Sequence, residues 1–406
     1  MATASAGVFA LLGRFWRKCE WGAVPGGLAL YPFQPKVAGG RLLFSRISDK
    51  VQLLSRSELI KSLKMTSPQT AATLVAAEKS FADPAPAENV SDVASERLRT
   101  SSRLFAYTQW DAVPVVAAIF HCLYFFALFW LFSRVPLWMM LPLGFIYSVS
   151  ISWNINGISH NFIHNPYFRS SLLNRLFSIM ESITVGFSQV FYECIHMQHH
   201  KGNADRPNDH GHTIDWISIY KHGEHGEAEH PLKYTFLSFF REDPKTVFRT
   251  LKRKDRREAF WGVTELVLFV GTFVSLGILN WHYLCFLLPF WYFGHCLSYL
   301  NGYYRHYGGN PDEPIAWGVS SYDKLYNRIW FYNGYHAEHH FRPKVHWTRM
   351  RAFRNQIIKQ QREAGVRVIG PPHALGFLDR DLPRRAQRSL RPQAQSRSCS
   401  PKRVAR

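Results

Sequence analysis

Eight histidines fall into three short clusters whose spacing could hold metal ions. The clusters are His160 and His164, then His196, His199 and His200, then His336, His339 and His340. Residues three and four apart share one face of a helix, so each cluster can direct its imidazoles at one point. With 19 His in 406 residues, two copies of H-x2-H-H are expected by chance in roughly one such chain in a thousand. Eight imidazoles exceed the needs of one metal ion with open positions but suffice for two. Nitrogen ligands suit iron, zinc, copper or nickel and do not choose among them.

Four apolar stretches flank these clusters and predict membrane-spanning helices. They run over about 113–132, 137–153, 260–279 and 283–300. Each approaches the roughly 20 residues that a helix needs to cross the hydrocarbon of a bilayer. Two short connections, 133–136 and 280–282, join them in pairs. The expected fold is therefore an all-α membrane protein with four transmembrane helices in two hairpins and a helical cap that carries the metal site.

The distribution of charge predicts the orientation of these helices. Four crossings place both termini and residues 154–259 on one side of the membrane. The segment from Arg241 to Arg257 is basic and leads into the third crossing, whereas the opposite connections carry one Arg. By the positive-inside rule the large loops, the histidine clusters and both termini are cytosolic in a multi-pass protein. A metal transporter is an alternative of another class. It would place its polar ligands near the middle of the membrane, whereas the eight clustered histidines lie outside the apolar stretches.

The net charge of +20 resides in the two ends of the chain. Residues 1–64 and 341–406 carry net charges of +7 and +14, and the remainder is nearly neutral. This arrangement is typical of tails beside a membrane, so we interpret the protein as one without a nucleic-acid partner. The six cysteines show no C-x2-C spacing, which argues against a disulfide framework and a thiolate zinc site.

Composition divides the chain into three parts. Residues 1–104 are expected to be a disordered or targeting region. Within them, residues 1–64 are either an organelle transit peptide or a segment preceding a true start at Met65. Residues 105–365 form the membrane domain, and residues 366–406 form a basic disordered tail. Inside the membrane domain, residues 171–195 predict one helix in the membrane interface or beneath the site.

The histidine spacings, their order and their placement relative to the apolar stretches resemble the membrane fatty acid desaturase and hydroxylase superfamily over about residues 105–350. The segment Asn333-Gly334-Tyr335-His336-Ala337-Glu338-His339-His340 is similar to the third histidine box of lipid desaturases, including sphingolipid desaturases. The resemblance implies that the histidines hold two Fe ions (Fe2+/Fe3+) and that O2 is a co-substrate. The implied reaction is removal of hydrogen from an unactivated C–H bond, which introduces a double bond into a long acyl chain. A hydroxylase on the same scaffold is the alternative, and the acyl carrier (CoA, phospholipid or sphingolipid) stays open.

A ninth ligand is expected near the end of the fourth crossing. The segment Asn301-Gly302-Tyr303-Tyr304-Arg305-His306-Tyr307-Gly308 resembles the His-Tyr-Gly element of membrane alkane hydroxylases, which makes His306 the candidate ligand. His295 and Asn301 are alternatives. A ligating imidazole usually donates its other N–H to a carboxylate or carbonyl. The residues expected around the ligands are Glu193, Asp205, Asp209, Glu338 and Asn301. The further histidines between 210 and 230 predict a loop over the site, and His121 predicts a neutral packed side chain.

The reaction also needs electrons. The chain contains neither a His-Pro-Gly-Gly haem element nor cysteine spacing for an iron–sulfur cluster, so a separate donor, a small haem protein or a ferredoxin, is expected. An acidic donor could dock on basic residues near the clusters, although positive charge facing lipid accounts for them equally well. These residues are Lys201, Arg206, Lys344, Arg349 and Arg351.

Overall fold

The structure, a computed structural model, describes residues 103–382. The expected targeting region, the possible start at Met65 and the end of the basic tail lie outside the described residues.

The described residues are mostly helical. The α-helices are α1 Ala112–Phe132, α2 Leu137–Trp153, α3 His160–His164, α4 Ser171–Val185, α5 Gln189–Gly202, α6 Pro231–Arg241, α7 Pro244–Lys254, α8 Arg256–Leu279, α9 Trp281–His306, α10 Lys324–Ile329, α11 His336–Phe341 and α12 Met350–Glu363. Two very short strands, β1 Ser320–Ser321 and β2 Val368–Ile369, pair in parallel.

Three of the described helices are long and apolar enough to cross a membrane. They are α1 with the turn before it, Gln109–Phe132, then α8 and α9. The expected second crossing corresponds to α2, which has only 17 residues. A six-residue π-helical segment, Asn154–Ser159, follows it and leads directly into α3. The described residues therefore contain three candidate spans, and α2 alone is shorter than a typical crossing helix.

Close packing of α2 against α9 forms the centre of the apolar core. Gly144 and Gly294 allow the approach, since a Cβ at Gly144 would lie 2.5 Å from the ring of Phe290. The hydroxyl of Ser148 donates to the carbonyl of Phe290 at 2.7 Å. Tyr283, at the start of α9, is fully buried in the same core. This packing brings α3 close to the end of α9, because α3 follows α2 through the π-helical segment.

The predicted single helix over residues 171–195 is wrong, because the structure has two helices there. Gly186 ends α4 in a left-handed conformation, with φ of 69°. Ser188 then caps α5, its hydroxyl oxygen accepting from the amide of Phe191 at 3.2 Å. The buried Glu265 of α8 accepts from the Ser188 hydroxyl at 2.8 Å and from the Val190 amide at 3.0 Å. The break turns α5 so that it ends at the second histidine cluster.

The segment after residue 365 continues the fold, which corrects the expected start of a disordered tail at residue 366. β2 pairs with β1 there, and a short 3-10 helix, His373–Leu378, packs against α9. The buried His373 donates its Nε2–H to the carbonyl of Val319 at 2.8 Å. Its Nδ1 then accepts from the hydroxyl of Tyr326 at 3.0 Å.

Candidate metal centre

Four segments of the chain bring the predicted ligands together. The first cluster lies on α3, the second on the last turns of α5, and the third on the short helix α11. His306 is the last residue of α9. The helix α5 ends where Asn203 adopts a left-handed conformation, with φ of 46°. Each cluster therefore lies at or beside a helix end, where the chain turns away and leaves room for the others.

Eight of the nine predicted histidines form two quartets. In each quartet the four ring nitrogens that could serve as ligands lie within 4.8 Å of one another. One quartet is His160, His164, His196 and His339, and the other is His199, His306, His336 and His340. His200 lies between them, with its Nε2 3.2 Å from His164 Nε2 and its ring centroid 4.4 Å from that of His340. Both quartets draw on more than one histidine cluster.

The arrangement of ring nitrogens fits a pair of cations better than a hydrogen-bonded network. The Nε2 of His200 lies 3.0 Å from the Nε2 of His196 and also 3.0 Å from that of His339. A neutral imidazole carries one N–H, so one nitrogen cannot bond to all of these neighbours. Buried ring nitrogens without a partner in the described residues are also unusual. They are the Nδ1 atoms of His160, His200, His306 and His336 and both nitrogens of His340.

Burial keeps these imidazoles in the form that binds metal. Burial, with a smaller contribution from the neighbouring His199, lowers the pKa of His164 to about 3. Six further histidines of the three clusters have a pKa well below the ordinary value. Burial is the largest cause and the neighbouring imidazoles are the next. The six are His160, His196, His200, His336, His339 and His340. Metal binding requires neutral imidazole, so the cluster needs no proton release at neutral pH.

Asp215 orients one of the histidines, although the sequence did not mark it as a candidate. Its carboxylate is fully buried and accepts the Nδ1–H of His199 at 2.7 Å. The same oxygen accepts from the amide of Ala204 at 2.7 Å. With Nδ1 engaged, the Nε2 lone pair of His199 is left for a metal ion. Asp215 lies 16 residues after His199 with no regular spacing, so no sequence signal distinguishes it from other loop acids.

Two of the acids predicted around the ligands, Asp205 and Glu338, bond to backbone amides or hydroxyls instead. Asp205 accepts from the amides of Ile214 and Asp215 at 2.7 and 2.8 Å, so it supports the loop that carries Asp215. Among the described residues, Glu338 has no hydrogen bond to an imidazole. Its buried carboxylate accepts from the hydroxyls of Ser320 at 2.8 Å and Tyr322 at 2.7 Å, which holds α11 against the segment around β1.

Two further predicted acids lie at the surface. Glu193, on α5, and Asp209, in the loop after it, are exposed. Asn301 is buried, and its Oδ1 has no hydrogen-bond partner in the described residues. Because both acids are exposed while the ligands are largely buried, their nearness to the histidines in the sequence did not predict their position.

The other histidines lie outside the quartets. His295 lies on α9 and donates its Nε2–H to the carbonyl of Val185 at 3.0 Å. His121 bonds to the Ser150 hydroxyl at 2.9 Å and to the Asn154 amide at 3.0 Å, as expected of a packed neutral histidine. Of the loop histidines, His230 accepts from the amide of Leu232 and begins α6. The remaining loop histidines are exposed; they are His210, His212, His222 and His225.

A cavity extends from the histidine cluster along α9. At one end its wall includes His196, His199, His306 and His336. Farther away the wall is formed by α5, α6 and α9 and by the loop before α6. Side chains there include Tyr192, Tyr234, Phe239, Glu242, His295, Ser298 and Tyr299. An elongated molecule in this cavity could present one of its carbons to the two quartets.

The basic residues suggested as a docking surface are mostly exposed. Lys201, Arg206, Lys344 and Arg351 are exposed and Arg349 is half-buried. Arg206 is partly engaged, because its Nε donates to the carbonyl of Gly226 at 2.7 Å and its guanidinium stacks on Tyr220.

Comparison with known proteins identifies the family. A sequence model described as "Fatty acid desaturase" matches residues 136–371, more than half of the chain. A curated rice protein (Oryza sativa subsp. japonica), named "Sphingolipid delta(4)-desaturase DES1-like", is 23% identical over 221 residues. That alignment covers 52% of this chain and 62% of the rice protein. No solved structure matches the chain. The family match covers the three histidine clusters and His306, so the chain belongs to the fatty acid desaturase family.

Proposed function

We propose that this protein is an O2-dependent oxidoreductase that introduces a double bond into a long acyl chain. The observation that carries the proposal is the convergence of nine buried or half-buried histidines from four chain segments into two quartets and a bridging His200. We assign one iron to the quartet with His160 and the other to the quartet with His306. Two bound irons would supply the activation of O2 that makes an unactivated C–H bond reactive.

The surrounding residues position the ligands and separate the site from water. Asp215 holds the His199 ring in one orientation, and Glu338 anchors the helix that bears three ligands. The nine histidines are buried or half-buried, which restricts their contact with bulk water and limits side reactions. The electrons come from a separate small haem protein or ferredoxin in this proposal. Exposed basic residues that follow the histidine clusters in the sequence, including Lys201 and Arg351, are suited to an acidic donor.

Hydroxylation on the same scaffold is the second candidate. It is favoured by His306, which the resemblance to alkane hydroxylases singled out and which lies in the second quartet. The Nε2 of His306 is 3.0 Å from that of His336. The similarity to a protein named as a sphingolipid desaturase favours desaturation and a sphingolipid-like substrate.

We also propose that α2 and the π-helical segment after it complete a fourth crossing. α2 packs along the candidate span α9, and its apolar side chains Leu141, Phe145 and Ile146 are exposed, as expected of a surface that faces lipid. Four crossings would place the histidine cluster and both termini on the cytosolic side, with the basic segment around α7 next to the membrane.

The decisive experiment is expression in a host of known lipid composition, followed by mass spectrometry of the lipids. A loss of two hydrogens from an acyl chain supports desaturation, and a gain of one oxygen supports hydroxylation. The variant His340→Ala should abolish either product while the protein still inserts into the membrane. The matched control His225→Ala replaces an exposed histidine and should retain activity. Full activity in His340→Ala would contradict the proposed site.

A further inference from the structure

The cavity beside the histidines contains a polar pair at some distance from the metal centre. Glu242, at the end of α6, and Tyr299, on α9, both line it and both are half-buried. The Tyr299 hydroxyl donates to the Glu242 carboxyl. Tyr299 precedes His306 by seven residues on the same helix, which corresponds to about 10 Å along the axis. The pair is therefore too far from the ligands to act on them directly.

The hydrogen-bonding capacity of Glu242 is largely unused. A carboxyl group has two oxygens and about four lone-pair positions. Among the described residues Tyr299 is the hydrogen-bond donor to Glu242, and no cation pairs with it. The neighbouring Arg241 is engaged with Glu229 through two bonds of 2.6 and 2.8 Å. Burial raises the pKa of Glu242 to about 7. A cavity-facing carboxyl of this kind costs free energy unless further donors reach it.

The pair is not needed to join α6 to α9. The Tyr292 hydroxyl of α9 donates to the Phe236 carbonyl of α6 at 2.5 Å. The Tyr303 hydroxyl of α9 donates at 2.8 Å to the carbonyl of Glu229, just before α6 begins. With these contacts in place, the bond between Tyr299 and Glu242 adds little to the attachment, and its position in the cavity wall suggests a role in binding.

We propose that Glu242 and Tyr299 form a specificity subsite for a neutral hydrogen-bond donor on the substrate, such as a hydroxyl or amide N–H. The alkyl chain of the same molecule would extend along α9 towards the histidines. In its ionised form Glu242 would repel a carboxylate or phosphate. Arg305, the cation of the described cavity wall, lies at the histidine end next to His306. The substrate class is thus a neutral polar lipid with O–H or N–H donors, and this inference rests on the proposed oxidation of an acyl chain.

The test is a competition between two substrates in the same vesicles. One is an N-acyl amino alcohol and the other is the methyl ester of the same acyl chain, which has no donor. The purified iron-loaded protein receives both with a chemical or enzymatic electron supply, and mass spectrometry measures the ratio of their oxidised products. The wild type should prefer the amino alcohol derivative. Tyr299→Phe and Glu242→Met should lower that preference by about tenfold, the effect of one hydrogen bond left unmade.

Two comparisons separate recognition from a structural effect. Glu242→Gln retains an acceptor oxygen but not the charge, so its preference should fall between wild type and Glu242→Met. Tyr292→Phe removes a tyrosine hydrogen bond between the same two helices outside the cavity and should leave the ratio unchanged.

A binding measurement does not depend on oxidation. Photocrosslinking of an N-acyl amino alcohol to metal-free protein should weaken in Tyr299→Phe and not in Tyr292→Phe.

The outcomes distinguish the subsite from the overall function. Oxidation of both substrates with a ratio that none of the variants changes would overturn the subsite and leave the proposed function intact. Equal loss of both products in Glu242→Met and Tyr299→Phe, with no change of ratio, would make the pair structural and also overturn the subsite. Failure of the wild type to oxidise either lipid would overturn the proposed function and the inference that rests on it.

Discussion

At the scale of single residues, the proposed metal binding depends on side chains that the histidine spacings do not reveal. Asp215 is the clearest example, because it bonds to a predicted ligand from a loop without any motif. Replacement of Asp215 by asparagine would keep the size of the side chain but remove the charge-assisted acceptor for the imidazole N–H.

We therefore expect Asp215→Asn to lower iron affinity by about 10- to 100-fold, as is typical when a partner of a ligating histidine is lost. Iron content after titration with a chelator measures the effect. Asp209→Asn is the matched control because Asp209 is exposed. Equal iron retention in both variants would mean that Asp215 does not support a ligand.

His306 allows the two quartets to be tested separately. His306 belongs to the second quartet and not to the first. His306→Ala should therefore reduce bound iron from about two per chain towards one. His295→Ala, on the same helix but outside both quartets, should retain both irons. Metal analysis of purified protein gives the comparison, and unchanged iron in His306→Ala would remove this residue from the ligand set.

At the scale of elements, the position of the second histidine cluster depends on the turn between α4 and α5. A side chain at Gly186 would be strained by its positive φ, and its Cβ would lie 2.2 Å from the indole nitrogen of Trp291. That indole in turn donates to the carbonyl of Val185 at 3.0 Å.

Gly186→Ala should consequently destabilise the protein by about 1–3 kcal/mol and lower its thermal unfolding temperature in detergent. Gly271→Ala is a suitable control, because a Cβ there meets no atom within 4 Å and Ala favours the interior of helix α8. An unfolding temperature that is the same in Gly186→Ala as in wild type would show that the turn tolerates a side chain.

The short 3-10 helix after β2 adds a pH-dependent contribution to stability. Burial lowers the pKa of His373 to about 3, from the ordinary value of 6.5. The unfolded chain therefore binds a proton at His373 below about pH 6.5 while the folded chain does not. Stability is lost as the pH falls from 6.5 towards 3.

His373→Gln removes this titrating group. The free energy of unfolding of the metal-free variant should therefore depend less steeply on pH between about 6 and 4 than that of wild type, by up to about 1.4 kcal/mol per pH unit. Denaturant titrations at several pH values measure the slope, with the exposed His210→Gln as control. Parallel slopes for wild type and His373→Gln would contradict the assignment.

At the scale of the whole molecule, the site requires helices that enter the membrane to return to one face. α1, α8 and α9 have the length and apolarity of spans, and α2 with its π-helical extension is proposed as the fourth. If α2 crosses, the connections at Arg134 and Asn280 lie on the side opposite to the histidines.

Single cysteines introduced into a chain without other cysteines should therefore label from opposite sides. Arg134→Cys should react with an impermeant reagent only from the side away from the site, and Asp209→Cys only from the side that carries the site. Sealed vesicles of known orientation provide the measurement. Labelling of both positions from one side would rule out the crossing by α2.

The sequence by itself determined the features that are written in local spacing. Eight ligand candidates follow from i, i+3 and i+4 periodicity, and four expected spans follow from runs of apolar residues, because both patterns are properties of one helix. Three of the four correspond to helices long and apolar enough to cross a membrane. His306 required resemblance to known proteins, since a single histidine at a helix end has no periodicity.

Tertiary structure alone decided how these pieces combine. The quartets mix histidines from different clusters, Asp215 approaches His199 from a loop, and Gly186 divides what reads as one apolar helix. The pairing of Glu242 with Tyr299 likewise joins residues 57 positions apart. Such contacts depend on how α5, α6 and α9 pack, and packing is set by the shapes of distant surfaces, so no local pattern in the sequence records it.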